Sequence, residues 1–364
     1  MTPLIGTPNL DGFRMPAEYE RHRNTWLLWP ERRDNWRKGA IPAQEVFSQV
    51  ASVISNFERV VVGASSDEIA AAHHRLKGFA KVVEIEYDDA WIRDTGPTGL
   101  VDGNGAVRAV DWEFNSWGGE QGLFPSWEND NAVARQVIRV EQLDSYKSDL
   151  VLEGGAIIVD GEGTAITTEE CLLNPNRNPG KTKFQIEDTL HQFLGVDKII
   201  WLRHGLYLDE AGGHVDNICC FLGPGVVALA WTNDASDPQY DISHEALEIL
   251  SASTDAKNRP LEIIKLHQPD PLFIRPEEIE GLLQIEGSVS RQVGDRLPAT
   301  YVNFYFVNGG LIMPLFGDPM DLAAMASLQD ALPNRKVIGV HARELLLGGG
   351  GIHCVTQQIP FGLG

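Results

Sequence analysis

Positive charge is what this chain lacks most. Thirty Lys and Arg face 51 Asp and Glu, a formal net charge of -21 over 364 residues. Nucleic-acid binding, which needs basic patches opposite phosphates, is therefore not expected. An acidic surface concentrates cations instead. Cysteine is scarce too: Cys171, Cys219, Cys220 and Cys354 are the four, without a Cys-x-x-Cys pair. That argues against a disulfide framework and a zinc ribbon and fits a reducing compartment. Residues 1–16 have neither a basic start nor an apolar stretch, and apolar runs such as residues 226–231 are far short of a membrane span. The expectation is a cytoplasmic protein without membrane contact. No Ser/Pro-rich linker divides the chain, so one domain over residues 1–364 is expected. Hydrophobic residues at 43% and charged residues at 22% describe an ordinary globule rather than a disordered chain.

The patterning is α/β. Residues 25–30 (TWLLWP) read as a strand ended by proline. Residues 43–57 carry apolar side chains at helical spacing, and residues 60–63 form a short buried strand. A second helix over 66–76, capped by Ser66-Asp67, leads to a strand at 82–85. From there one unit recurs: a polar residue, a strand, a Gly turn, a strand, a helix and a closing strand. Copies begin at Asp94 (turn Asp102-Gly103-Asn104-Gly105), Glu153 (turn Asp160-Gly161), His214 (turn Gly223-Pro224-Gly225) and near Tyr301 (turn Asn308-Gly309-Gly310). The helices of the last three fall near residues 185–194, 243–251 and 321–331. Their closing strands fall at 198–202, 261–265 and 336–340. A final strand over 355–360 has no successor, and pairing it with the N-terminal strands would make a fifth unit that closes a ring. Related by rotation, the starting residues would converge on one channel.

The chemistry-bearing residues sit at those starts. Four glycines, Gly348 to Gly351, precede Cys354, a permissive loop in front of a thiol at the mouth of a strand. In Gly212-Gly213-His214-Val215-Asp216-Asn217, a strand would put His214 and Asp216 on one face. Glu153 precedes Gly154-Gly155. Asp94 lies in Trp91-Ile92-Arg93-Asp94-Thr95-Gly96-Pro97, and Asn115-Ser116-Trp117-Gly118-Gly119 is a second aromatic loop. Each pattern alone also describes a turn, a cap or a buried cysteine, and His73-His74 read as surface residues on a helix. Cys354, His214, Glu153, Asp94 and Asp216 together suit a guanidinium. Its paired N–H donors match two carboxylates, and its carbon is a poor electrophile that requires a thiolate.

PAEYERHRNTWLLWP, WIRDTGP, FNSWGG, LEGG, LNPNRNP, GGHVDN, NFYF, FGDP and GGGGIHCVTQQIP occur in this order along almost the whole chain. In these motifs the sequence resembles the agmatine deiminase family of the guanidine-modifying (pentein) superfamily. The resemblance implies a five-fold pseudosymmetric α/β propeller of ββαβ units around a central channel. It implies Cys354 as the nucleophile that becomes an amidino-cysteine, and His214 as general acid/base, with Glu153 orienting it and contacting the guanidinium. Asp94 and Asp216 would clamp the guanidinium, with no metal and no cofactor. The expected reaction is hydrolysis of agmatine to N-carbamoylputrescine and ammonia, in the biosynthesis of putrescine, by a homo-oligomer (dimer or tetramer). Glu210 and the indole faces of Trp91 and Trp117 are candidates for the amine end of that substrate. One departure stands out: the family pattern is commonly GGGNIHC, and Gly351 removes a side chain that could brace the loop beside the substrate. Deimination of free or peptidyl arginine, a catalytically dead guanidinium-binding module, and a metal-dependent hydrolase using His214 and Asp216 are the alternatives.

Overall fold

A computed structural model describes residues 3–362. The chain opens with β1 (His22–Leu28), α1 (Ile41–Ile54), β2 (Arg59–Ala64), α2 (Ile69–Arg75) and β3 (Lys81–Glu84). After the single turn α3 (Ile92–Thr95) come β4 (Thr98–Val101), β5 (Val107–Glu113), α4 (Val133–Glu141) and β6 (Asp144–Val151). The next group is β7 (Ile158–Val159), β8 (Thr164–Thr168), α5 (Glu169–Leu172), α6 (Lys183–Leu194) and β9 (Lys198–Leu202). It is followed by β10 (Cys219–Gly223), β11 (Val226–Trp231), α7 (Gln239–Ser251) and β12 (Glu262–His267). The last group is β13 (Tyr305–Val307), β14 (Gly310–Leu315), α8 (Met320–Ala331), β15 (Lys336–His341), α9 (Arg343–Leu347) and β16 (Gln357–Pro360).

Each group makes its own small sheet, five among the described residues. The logic is local. A tight Gly turn lets the first two strands pair antiparallel, as in Thr98↔Val110, whereas the parallel third strand needs a helical crossover, as in Arg108↔Asp144. The first sheet breaks the rule informatively. Its antiparallel member is β16, which pairs Trp26 with Gln357 from the far end of the chain. The expected pairing of the two chain ends is therefore present. Two apolar cores back these sheets. The larger runs from Trp26 to Ile359, and the smaller gathers Leu100, Tyr146, Ile157, Cys171 and Leu190.

Several local expectations need correction. β1 covers residues 22–28 rather than 25–30, since pairing with β16 begins at His22. α2 starts at Ile69 with Glu68 as N-cap and no side-chain cap, and Ser66-Asp67 lie in the turn before it, where the Ser65 hydroxyl accepts from the Glu68 amide at 3.3 Å. His214 and Asp216 do not open a strand. Val215–Asn217 is a single 3-10 turn, and β10 starts only at Cys219. The final strand starts at Gln357 rather than 355, and Cys354 lies in the turn before it, as expected. His73 and His74 are exposed on α2, as expected. No helix among the described residues is long and apolar enough to cross a membrane.

Candidate active site

Cys354, His214, Glu153, Asp94 and Asp216 come from four different sheet groups, and all are buried. α3 presents Asp94 and is tied directly to the nucleophile loop, because the Arg93 amide donates to the Cys354 carbonyl at 3.2 Å. Asp94 Oδ1 accepts from the Gly155 amide at 2.9 Å and Oδ2 from Trp117 Nε1 at 2.9 Å. His214 Nδ1 stands 3.9 Å from Asp94 Oδ2. Gly155 makes this convergence possible. A Cβ there would lie 2.5 Å from His214 Nδ1 and 3.0 Å from both Asp94 and Asp216.

Asp216 Oδ2 is hydrogen-bonded to His353 Nδ1 at 2.7 Å and lies 4.0 Å from Cys354 Sγ, while Oδ1 has no protein partner. Behind it runs a buried chain: His353 Nε2 meets Glu18 Oε2 at 2.7 Å, and Arg93 Nη2 donates to the same oxygen at 3.0 Å. Glu153 Oε1 is held by Arg177 Nε at 2.7 Å. Glu153 Oε2 and His214 Nε2 are both buried without partners. Asn303 Nδ2 donates to Cys354 Sγ at 3.3 Å.

The electrostatics follow from burial and neighbouring charge. Burial, then Asp216 and Asp94, push the Cys354 thiol well above its ordinary pKa. Burial opposes charge on His214, but Asp94, Cys171 and Glu153 outweigh it and raise the imidazole well above its usual value. Burial raises Asp94 despite the opposing pull of His214. Glu153 goes the other way: desolvation is overcome by Arg177 and His214, and its pKa is lowered. Asp209, whose Oδ2 accepts from the His214 amide at 2.7 Å, is raised to about 6, mainly by burial. The centre is thus overloaded with carboxylates and favours a cation.

A narrow cleft of about 20 Å³ opens onto these groups, lined by Trp91, Trp117, Asp209, Asn217 and Gly348–Gly350 besides Asp94, His214 and Cys354. The expected aromatic pair is therefore in place, but each indole N–H is engaged, Trp91 with Asp89 and Trp117 with Asp94. Trp117 is delivered by strained backbone: it and Ser116 both have left-handed φ, at 59° and 56°. Glu210 does not line the cleft. Arg291 grips both its oxygens, at 2.9 and 2.5 Å, and the pair lies against Gly349. Gly351 is also off the cleft. The loop does not lack bracing, since Arg291 Nη2 donates to the Gly348 carbonyl at 2.8 Å.

Sequence reasoning missed His353, Asn303, Arg177, Cys171 and Asp209. His353 and Asn303 lie inside quoted motifs, so their position relative to β16 and β13 was the available signal. Cys171 carried none, arriving from α5 against the other face of His214. Glu153, Cys171 and His214 offer ligand atoms within 4.8 Å of one another. An ion there would face the guanidinium of Arg177, already bound to Glu153, which makes the trio a poor cation site.

Comparison with known proteins finds similarity along almost the whole chain. The family described as Porphyromonas-type peptidyl-arginine deiminase matches residues 14–360. An agmatine deiminase of Pseudomonas aeruginosa is 54% identical over 363 residues, 99% of each chain. The agmatine deiminase of Enterococcus faecalis superposes with a TM-score of 0.97 at 41% identity, covering 99% of this chain and 100% of that one. A substrate-bound cysteine-to-serine variant of the C. jejuni agmatine deiminase superposes with a TM-score of 0.82 at 29% identity, covering 97% of each.

Proposed function

Since the chain belongs to the Porphyromonas-type peptidyl-arginine deiminase family, we propose that it is a hydrolase that converts agmatine to N-carbamoylputrescine and ammonia. One observation carries the choice of substrate: Asp94 and Asp209 line the cleft and no Lys or Arg does, among the described residues. Arginine would bring a carboxylate with no cation to meet it. Agmatine brings a guanidinium and an amine. Arg291 neutralises Glu210 through both its oxygens, so the amine end rests chiefly on Asp209 and the indoles of Trp91 and Trp117, with the Glu210–Arg291 pair behind Gly349.

The guanidinium sits between Asp94 and Asp216, with the free Oδ1 of Asp216 as one acceptor. Its charge offsets the two carboxylates that hold the thiol up, so Cys354 ionises when substrate arrives. The thiolate attacks the guanidinium carbon, and His214 as imidazolium gives a proton to the departing nitrogen. Ammonia leaves and an amidino-cysteine remains. Neutral His214 then takes a proton from water; its oxygen attacks the same carbon, and the C–S bond breaks to release the ureido product. Glu153, fixed by Arg177, keeps the imidazole oriented. No metal or organic cofactor is needed.

The five sheets, each feeding residues toward one cleft, support a five-fold propeller of ββαβ units in one domain over residues 1–364. The four free cysteines suit the cytoplasm. We expect a homo-oligomer, dimer or tetramer, which sedimentation tests. The assignment is tested by ammonia release from agmatine, arginine and a peptidyl arginine. Agmatine is expected to have the highest kcat/KM, and Cys354→Ala to be silent. Faster turnover of arginine would overturn the substrate, and activity in Cys354→Ala would overturn the mechanism.

A further inference from the structure

Asn303 stands where the fifth sheet would contribute to the site. The first strands of the other four are preceded by Asp94 (before β4), Glu153 (β7), His214 with Asp216 (β10) and Cys354 (β16). Directly ahead of β13 is Asn303, and it is buried.

All its hydrogen-bonding capacity is used, and the orientation of the amide is forced. The His353 amide can only donate, and it donates to Oδ1 at 3.0 Å. Nδ2 must therefore supply both remaining bonds, to Asn217 Oδ1 at 2.9 Å and to Cys354 Sγ at 3.3 Å. Oδ1 is itself 3.6 Å from Sγ, within reach of a thiol proton. One amide thus faces both ionisation states of the cysteine, accepting from S–H and donating to S⁻. Every titratable side chain otherwise facing Sγ is a carboxylate or an imidazole: Asp216 and Asp94 with His214, and Asp209 across the cleft, with His353 behind Asp216. The neutral donors that favour the ionised sulfur are the Gly351 backbone amide and the Asn303 side chain.

Gly351 completes the arrangement. A Cβ on it would lie 2.2 Å from Asn303 Oδ1, 2.8 Å from Cγ and 3.1 Å from Cβ. Its φ is not left-handed, and its backbone N–H donates to Cys354 Sγ.

We propose that Asn303 is a further catalytic residue that holds the Cys354 thiolate through its Nδ2–H. The inference rests on Cys354 being the nucleophile, and it is tested by a measurement that does not need turnover. The rate of Cys354 alkylation by iodoacetamide is followed against pH in substrate-free enzyme, by mass spectrometry of the Cys354 peptide. Loss of a hydrogen bond to a charged sulfur should move the midpoint up by about one pH or more in Asn303→Ala. Asn303→Asp keeps the shape of the side chain, and so the fold, and should move it at least as far. In both, kcat/KM for agmatine should fall at neutral pH and partly recover as pH rises. A midpoint within about 0.3 pH of wild type in either Asn303 variant would overturn the proposal, as would an activity loss that is the same at every pH. Turnover by Cys354→Ala would refute the nucleophile without touching the alkylation result, so the two failures are separable.

Discussion

At the scale of single residues, the two clamp carboxylates differ in a way their chemistry did not announce. Asp94 already accepts from Gly155 and Trp117, whereas Asp216 keeps one oxygen free. Either way, losing one leaves a buried cation short of a partner. Asp94→Ala and Asp216→Ala should each lower kcat/KM by more than about 10²-fold, measured with agmatine. Normal turnover in both would place the guanidinium elsewhere. Gly351 shows how a residue type can be read correctly and its consequence missed. Its missing side chain is a real departure, but the space is filled by a residue 48 positions earlier in the chain. Sequence cannot reveal that, because it is a fact of packing.

At the scale of elements, the site is steadied by a relay that crosses from the N-terminal segment to the nucleophile loop: Arg93, Glu18, His353, Asp216. Burial would raise Glu18, but His353 and Arg93 overcome it and hold it at about 2, against an ordinary 4.5. A carboxylate lowered on folding stabilises the folded state fully above pH 4.5. That contribution is lost as pH falls through about 2. Glu18→Gln should therefore cost about 3–5 kcal/mol near neutrality, the range for breaking a buried pair. The gap from wild type should shrink steadily below pH 4.5. Urea midpoints across pH 3–7 measure it, and a gap independent of pH would show that Glu18 acts by packing alone. The same elements explain a misreading. His-x-Asp was placed on a strand because period-two spacing puts both residues on one face. A 3-10 turn brings them to the same cleft by another geometry, with Gly155 giving way to both.

At the scale of the molecule, the balance of -21 gives a prediction independent of any one contact. A doubly cationic substrate approaching an acidic protein is steered by its field, and salt screens that field within about 8–10 Å at physiological strength. Between about 20 and 300 mM salt, kcat/KM for agmatine should fall several-fold while kcat stays constant. Stopped-flow or initial-rate data would show it, and a flat kcat/KM would mean that association is not electrostatically assisted. The long connection over residues 268–304 acts at this scale too. It delivers Arg291 to Glu210 and the Gly348 carbonyl, and Val289 to Leu123 at the cleft wall. No motif marked it before Asn303, since its role is carried by contacts to distant loops.

The sequence by itself determined the alternation of strands and helices, the Gly turns that close each hairpin and the set Cys354, His214, Glu153, Asp94 and Asp216. These are properties of residue type and short-range spacing, which local sterics and chemistry dictate. Tertiary structure decided what neighbours each of them has: Arg177 on Glu153, His353 on Asp216, Trp117 on Asp94, Arg291 on Glu210. It also decided that the loop behind the four glycines leads to a thiol held by Asn303. Charge state in a buried site is set by distances of a few ångströms between segments far apart in the chain, and no spacing along the chain encodes those distances.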